Sequence, residues 1–152
     1  MQQPSARFRQ LTLLDRIINR AFGCLVKLGL GLSHNFLLEV RGRKSGRVYS
    51  TPVNVLDYKG KKYLVAPRGN TEWVRNVFVS QKAKLVKGTN RENVRLQPIG
   101  DEAKPEILKA YLDRYKLTVQ RYFPVPAGSP TEAFRPLAAR YPVFEITGDS
   151  PE

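Results

Sequence analysis

The sequence predicts a mainly β domain with flanking helices, in which a largely antiparallel sheet curls into a small barrel. Three observations carry this. β-favouring runs recur between short turns, notably Lys59-Gly60 and Gly88-Thr89-Asn90. Such tight turns join antiparallel neighbours, whereas parallel strands need long crossovers. The elements also lack the even strand–helix alternation of a doubly wound fold, and no Gly-x-Gly-x-x-Gly run is present. A chain of 152 residues with 41% apolar content suits one domain with one real core.

The elements follow in order. Residues Phe8 to Leu28 place Phe8, Leu11, Leu14, Ile18, Phe22, Leu25 and Leu28 at helical spacing, punctuated by Arg7, Arg9, Arg16, Arg20 and Lys27. This is a basic amphipathic helix, and residues 1–31 form an N-terminal unit ahead of a barrel domain over 32–148. Either the helix packs over the domain's own sheet or it adsorbs to an acidic membrane surface. Strand one covers Phe36 to Arg41, strand two Arg47 to Tyr58 and strand three Lys61 to Ala66. Pro52 places strand two at an edge or at a bulge. Thr71 to Ser80 reads as a helix docked on the sheet. Ala83 to Lys87 and Glu92 to Ile99 pair as a hairpin, and Asp101 to Leu117 is a second long helix with acidic residues at its favourable N-terminal end. A Pro/Gly-rich loop from Phe123 to Gly128 leads to a short helix over Pro130 to Ala139. Tyr141 to Ile146 closes the sheet, and residues 149–152 form a flexible tail.

Charge narrows the functional classes. Twenty-six basic against thirteen acidic residues give +13, which favours an anionic partner without naming it. The positive charge is densest in Val40-Arg41-Gly42-Arg43-Lys44-Ser45-Gly46-Arg47, a Gly-x-x-x-Gly turn with no acidic residue. Exposed turn amides beside Arg and Lys can hold phosphate or carboxylate oxygens. Cys24 is the only cysteine and His34 the only histidine, which excludes an intramolecular disulfide and a multi-Cys/His metal set. Cys24 sits among Phe22, Leu25 and Val26 as a buried thiol, and His34 reads as a junction residue. With no nucleophile–base set, a bound organic cofactor is the natural source of any difficult chemistry. No secretory signal is readable, and the apolar run Phe22 to Leu32 is too short to span a bilayer. The expected setting is cytoplasmic, with a peripheral membrane position open to the N-terminal helix.

The turn Glu39-Val40-Arg41-Gly42-Arg43-Lys44-Ser45-Gly46, the following Thr51-Pro52, the strand Tyr63-Leu64-Val65-Ala66, the helix Trp73-Val74-Arg75-Asn76-Val77 and the closing Pro142-Val143-Phe144 together resemble the deazaflavin-dependent nitroreductase family. The resemblance runs from about Leu32 to Ile146. It implies a split β-barrel of the FMN-binding type, coenzyme F420 as cofactor with FMN as the alternative, and hydride transfer to a quinone or nitroaromatic acceptor. Better-known members carry a longer glycine-rich segment with a His-Pro pair before the tryptophan, where this chain has only Arg68-Gly69-Asn70-Thr71-Glu72. The stretch Val119-Gln120-Arg121-Tyr122-Phe123 and its Pro-rich loop also differ.

Matched onto this chain, the resemblance assigns Arg43, Lys44, Ser45 and Gly46 to the cofactor's phosphate and proximal tail. Thr51 and Pro52 line the cavity beside tail and ring, and Ala66, Pro67 and Arg68 face the ring. Trp73 either fills core space, as its spacing to Val77 allows, or walls the pocket. Asn76 is a polar residue on a packing helix and hydrogen-bonds the strand-three loop or the cofactor. Tyr111, Tyr115 and Tyr122 are the phenols on the acceptor side, and the first two share a helix face in a way that suits core packing equally well. Tyr122 is the first choice for a proton donor or acceptor-orienting group. Two other classes stay in view: a non-catalytic F420 or FMN carrier of the same fold, and a nucleic-acid binder resting on the net charge and on Tyr and Phe residues that could stack bases. The latter lacks a zinc knuckle, helix-turn-helix or RNA-reading aromatic pair.

Overall fold

The computed structural model describes residues 35–149. The expected helix over Phe8 to Leu28, Cys24, His34 and the last three residues lie outside that range.

Six strands form a closed, wholly antiparallel barrel. They are β1 (Asn35–Arg41), β2 (Val48–Tyr58), β3 (Lys61–Val65), β4 (Lys82–Lys87), β5 (Asn90–Pro98) and β6 (Val143–Gly148). Around the barrel the order is β1-β2-β3-β6-β5-β4, and β4 returns to pair with β1. The tight turns behave as the sequence expects. Lys59 and Gly60 both take positive φ, 48° and 78°, which matches the twist of the flanking strands, and Tyr58 faces Lys61 across the turn. Helix α1 (Glu72–Ser80) links β3 to β4 and α2 (Lys104–Val119) follows β5.

The apolar residues divide into two cores. Inside the barrel, Leu38, Val55, Leu64, Leu85, Leu96 and Phe144 pack together, and α1 adds Val74 and Val77. A second core lies where α2 meets the outer face of β2, β3 and β6. There Leu56, Val65 and Val143 pack against Leu108, Tyr111, Leu112, Phe123 and the fully buried Phe134. Burying one such side chain stabilises the fold by roughly 1.5–3 kcal/mol, so the second core fixes α2 as firmly as the first fixes the barrel.

Several boundaries differ from those expected. β6 runs Val143–Gly148 rather than Tyr141 to Ile146, because Val94 pairs with Gly148 and the Asp149 N–H donates to Asn93 O (3.1 Å). The final sheet residues therefore find backbone partners where fraying was expected. The expected helix over Pro130 to Ala139 is a 3-10 run over Thr131–Arg140, and Pro136 within it removes a helical donor. α2 extends two residues beyond Leu117, with a break at Tyr115 (φ −110°, ψ 24°), and then tightens into a 3-10 turn over Gln120–Tyr122. Pro52 occupies an edge without a bulge: it faces Leu37 of β1, while β3 pairs with β2 only from Val55 onward. That half-open stretch of β2 becomes one wall of the cleft described next.

Candidate functional site

The basic turn is a built structure rather than a loose loop. Gly42 N–H donates to Arg47 O (2.6 Å) and Gly46 N–H to Gly42 O (3.0 Å). Gly46 has φ +72°, a left-handed conformation that disfavours any side chain. At Gly42 the limit is space, since a Cβ there would lie 2.7 Å from the Tyr49 ring. Arg41 turns back to donate to Gly46 O (2.7 Å), and Ser45 Oγ accepts from Arg47 N–H and lies 3.2 Å from the Tyr49 hydroxyl. Asn76, only 5% exposed, reaches the turn from α1. Its Oδ1 accepts from Arg43 N–H (3.0 Å) and from Arg43 Nη1 (2.9 Å). Asn76 therefore holds the basic turn; of the two partners the sequence offered it, the strand-three loop and the cofactor, the first is not the one it bonds.

Arg43 is also bound by Glu72 (2.9 Å), which holds Arg75 at 3.2 Å as well. The Arg43 hydrogen bond, then its charge, keep the Glu72 carboxyl below the ordinary carboxylate value. Lys44 makes no ion pair with the described residues and stands exposed at the rim.

A continuous cleft leads from this turn. Its first chamber, about 560 Å³, is lined by Arg43, Lys44, Ser45, Thr51, Trp73 and Asn76, among others. The second, about 510 Å³, takes Pro52, Val53 and Asn54 from the half-open part of β2, Ala66 and Pro67 from the end of β3, and Tyr111 and Tyr122 from α2 and the turn that follows it. Thr51, Arg68, Thr71 and Trp73 line both. The structure thus brings together the candidates from both ends of the chain. Gly46 shapes the turn without lining either chamber, and Tyr115 lines neither. The Trp73 ring packs 5.9 Å from Phe144, and the residue also lines both chambers.

The three phenols have different surroundings. Tyr111 is 2% exposed, and burial pushes its hydroxyl well above the ordinary tyrosine value, against the opposite influence of the Asn54 side chain. It remains a neutral hydrogen-bonding group in the cleft wall. Tyr115 is buried and donates to Val55 O (2.7 Å), which ties α2 to β2. Tyr122 is half-buried, its ring covered by the Arg121 guanidinium (4.7 Å) and its carbonyl bound by the Tyr141 hydroxyl. Gln120 clamps the Pro-rich loop beside it, donating to Val125 O (2.8 Å) and accepting from Ala127 N–H (2.7 Å).

Sequence reasoning missed Asn54, Thr71 and Glu72. Thr71 is the most telling: its Oγ1 is the one buried side-chain oxygen or nitrogen among the described residues without a hydrogen-bond partner, and the residue lines both chambers. A buried polar atom left this way costs stability unless something else bonds it. Together these features fit a cofactor with an anionic tail and a flat ring. Cations rim one chamber, apolar Pro52, Val53, Ala66 and Pro67 wall the other, and an unsatisfied hydroxyl lines both.

Residues 15–125, well over half of the chain, match the family model described as F420H(2)-dependent quinone reductase. No curated protein matches. Among solved structures, the Agrobacterium tumefaciens protein Atu2129, described as of unknown function, aligns with a TM-score of 0.56 at 17% identity, over 86% of this chain and 55% of that one. The chain thus spans little more than half of that relative. A structure named F420-H2 Dependent Reductase (FDR-A) aligns at 0.52 and 18% identity, over 76% of this chain and 95% of that one. A FAD-binding protein from Mesorhizobium loti aligns at 0.51 and 11% identity, over 84% and 88%. At these identities the structural likenesses establish the fold. The family match establishes more: the chain belongs to the F420H(2)-dependent quinone reductase family.

Proposed function

We propose that this chain binds coenzyme F420 along the two-chamber cleft and catalyses oxidation of the reduced form by a small electron-poor acceptor of quinone or nitroaromatic type. The observation that carries this reading is the unbroken cleft from a cationic turn to a phenol-lined chamber, in a chain of this family. When bound, the reduced deazaflavin supplies the hydride. The protein's part is to bind, orient and stabilise charge.

In this reading Lys44 and the Ser45–Gly46 segment meet the phosphodiester and the first tail carboxylates, with Arg43 held beside them by Asn76. Thr51, Pro52, Ala66, Pro67 and Trp73 wall the ring, and Thr71 gains the partner it lacks in the protein alone. Arg68, which lines both chambers, offers a cation where they join. Tyr122 donates a hydrogen bond to the acceptor oxygen as charge develops there, and neutral Tyr111 supports the same wall. Tyr115 acts through position, by anchoring the helix that carries Tyr111 and leads into the turn bearing Tyr122.

The test combines binding with turnover. F420 should bind more tightly than FMN, and its affinity should fall as salt screens the turn. Lys44→Ala should weaken it by about 1–2 kcal/mol, the scale of a charge-assisted hydrogen bond. Tight F420 binding without oxidation by any quinone or nitroaromatic would favour a carrier, and tighter FMN binding would change the cofactor. The cellular setting belongs to the same proposal. No helix among the described residues is long and apolar enough to cross a membrane. We place the protein on the cytoplasmic side, with the basic 8–28 segment drawing it towards anionic lipid and a lipophilic acceptor. Vesicle sedimentation that is unchanged when residues 1–28 are removed would refute that placement.

A further inference from the structure

We propose that the acceptor end of the cleft carries an anion subsite formed by Arg68 and Arg140 beside Tyr122, so that the favoured acceptor is an aromatic compound bearing a carboxylate. This rests on the reading of the cleft as a joint cofactor and acceptor site. A shallow, open depression adjoins the second chamber and shares Pro67, Arg68 and Tyr122 with it, while Gly69, Arg140 and Tyr141 complete its lining; both arginines are exposed at its surface. No acidic residue lines this depression. Among the described residues, the side chains of Arg68 and Arg140 form no ion pair. Arg43, Arg75, Arg91, Arg95 and Arg135 each have a carboxylate, whereas Arg41, Arg47, Arg114 and Arg121 have none but line no part of this depression.

The backbone brings the two arginines together. Gly69 takes φ +79°, its N–H bonds Ala66 O (3.1 Å), and a Cβ on it would lie 3.5 Å from the Arg140 carbonyl. The corner that presents Arg68 is therefore pressed against the residue that presents Arg140. The Tyr141 hydroxyl, bound to Tyr122 O, ties the same segment to the phenol proposed to face the acceptor. Two like charges directed to one depression repel, and an anion between them relieves that. A planar guanidinium takes both oxygens of a carboxylate, and Pro67 with the tyrosine rings offers apolar flanks to an aryl group. The cofactor's own charges belong to the basic turn, and Arg140 lines neither cofactor chamber.

The experiment compares 4-nitrobenzoate with its neutral analogue 4-nitrobenzamide. Equilibrium binding is measured by calorimetry with and without oxidised F420, and kcat/KM with the reduced cofactor. The parent should bind the carboxylate more tightly by about threefold to tenfold, the range expected between an exposed and a charge-assisted contact. Arg140→Gln should bring that ratio close to one with the F420 dissociation constant unaltered, and Arg140→Lys should keep part of the preference. Equal affinities in the parent, or a preference that survives Arg140→Gln, would overturn the proposal. So would weaker F420 binding by Arg140→Gln, which would assign the charge to the cofactor. If no acceptor is reduced but the binding preference and its loss are observed, the subsite stands and the catalytic reading fails.

Discussion

Replacing Asn76 with alanine should loosen the cofactor site and the fold together. The Asn76 side chain is almost wholly buried, and its Oδ1 accepts two hydrogen bonds from Arg43, one from the backbone and one from the guanidinium. The guanidinium keeps Glu72 and is 18% exposed, so water and the carboxylate can replace what it loses. The Arg43 backbone N–H lies in a part-buried contact and loses its acceptor. An unsatisfied group of that kind costs about 1–3 kcal/mol, so a loss of roughly 2 kcal/mol is expected for Asn76→Ala. For a domain of this size that corresponds to a fall in Tm of roughly 4–8 °C. The same change should raise the F420 dissociation constant, because the ligand must then order a turn that is no longer pre-set. Asn76→Asp separates the two effects. It keeps the acceptor oxygens, so Tm should change less, but it places a negative charge beneath the anion site and should weaken binding more. Differential scanning fluorimetry with F420 titration reads both. An Asn76→Ala protein that melts within about 1 °C of the parent and binds F420 equally well would refute the role given to this side chain.

Four further outcomes follow from the same geometry. Glu72→Gln should tighten F420 binding, since it removes a carboxylate that competes for Arg43; unchanged or weaker affinity in a titration would show that the ion pair positions Arg43 instead. Tyr115→Phe should lower stability by about 1–2 kcal/mol through the lost bond to Val55 O while leaving kcat near that of the parent, as checked by denaturant melts and steady-state rates. Tyr122→Phe should do the reverse, keeping cofactor affinity and Tm but lowering kcat, because a bond made to developing charge favours the transition state; an unchanged rate removes it from the mechanism. Burial raises the Tyr111 pKa above its ordinary value of 10.0, so the unfolded state loses that proton first as pH rises. The stabilising contribution is therefore complete below pH 10.0 and is lost above it towards the raised folded value, and Tyr111→Phe should flatten the alkaline decline in Tm.

Local signals made the barrel legible, and distance hid much of the site. Lys59-Gly60 and Gly88-Thr89 are turn chemistry written in adjacent residues, and the strands between them end within two residues of expectation. Nothing adjacent announces that β3 pairs with β6 or that β4 closes onto β1. The family resemblance supplied the pocket members as a set but could not assign their partners. Asn76 and Arg43 stand 33 positions apart, so the bond between them waits on the docking of α1. Tyr111 and Tyr115 share a helical spacing that makes them look equivalent. They separate because β2 offers Val55 O to Tyr115 while Tyr111 lines the second chamber beside Asn54, and because the helix breaks at Tyr115. Thr71 carries no sequence signal at all: an unsatisfied hydroxyl is visible only once everything around it is placed.

The distribution of charge separates a cofactor site from a nucleic-acid surface better than its total does. The basic turn holds four cations, but Arg41 is spent on Gly46 O and Arg43 on Asn76 and Glu72. Among the described residues, the side chains of Lys44 and Arg47 are the turn cations that make no hydrogen bond or ion pair, and of these Lys44 lines the cleft. A duplex or single strand is held by many such cations spread along a surface, and each phosphate contact adds to the steepness of its salt dependence. Here half of the turn's cations instead hold the turn's own shape, and the turn borders a half-open cleft rather than a flat face. The expected salt dependence of F420 binding is therefore shallow, about one to three charges' worth, by the same counting of neutralised contacts. A slope several times steeper would mean that the anionic partner spreads over the barrel's basic exterior rather than entering the cleft.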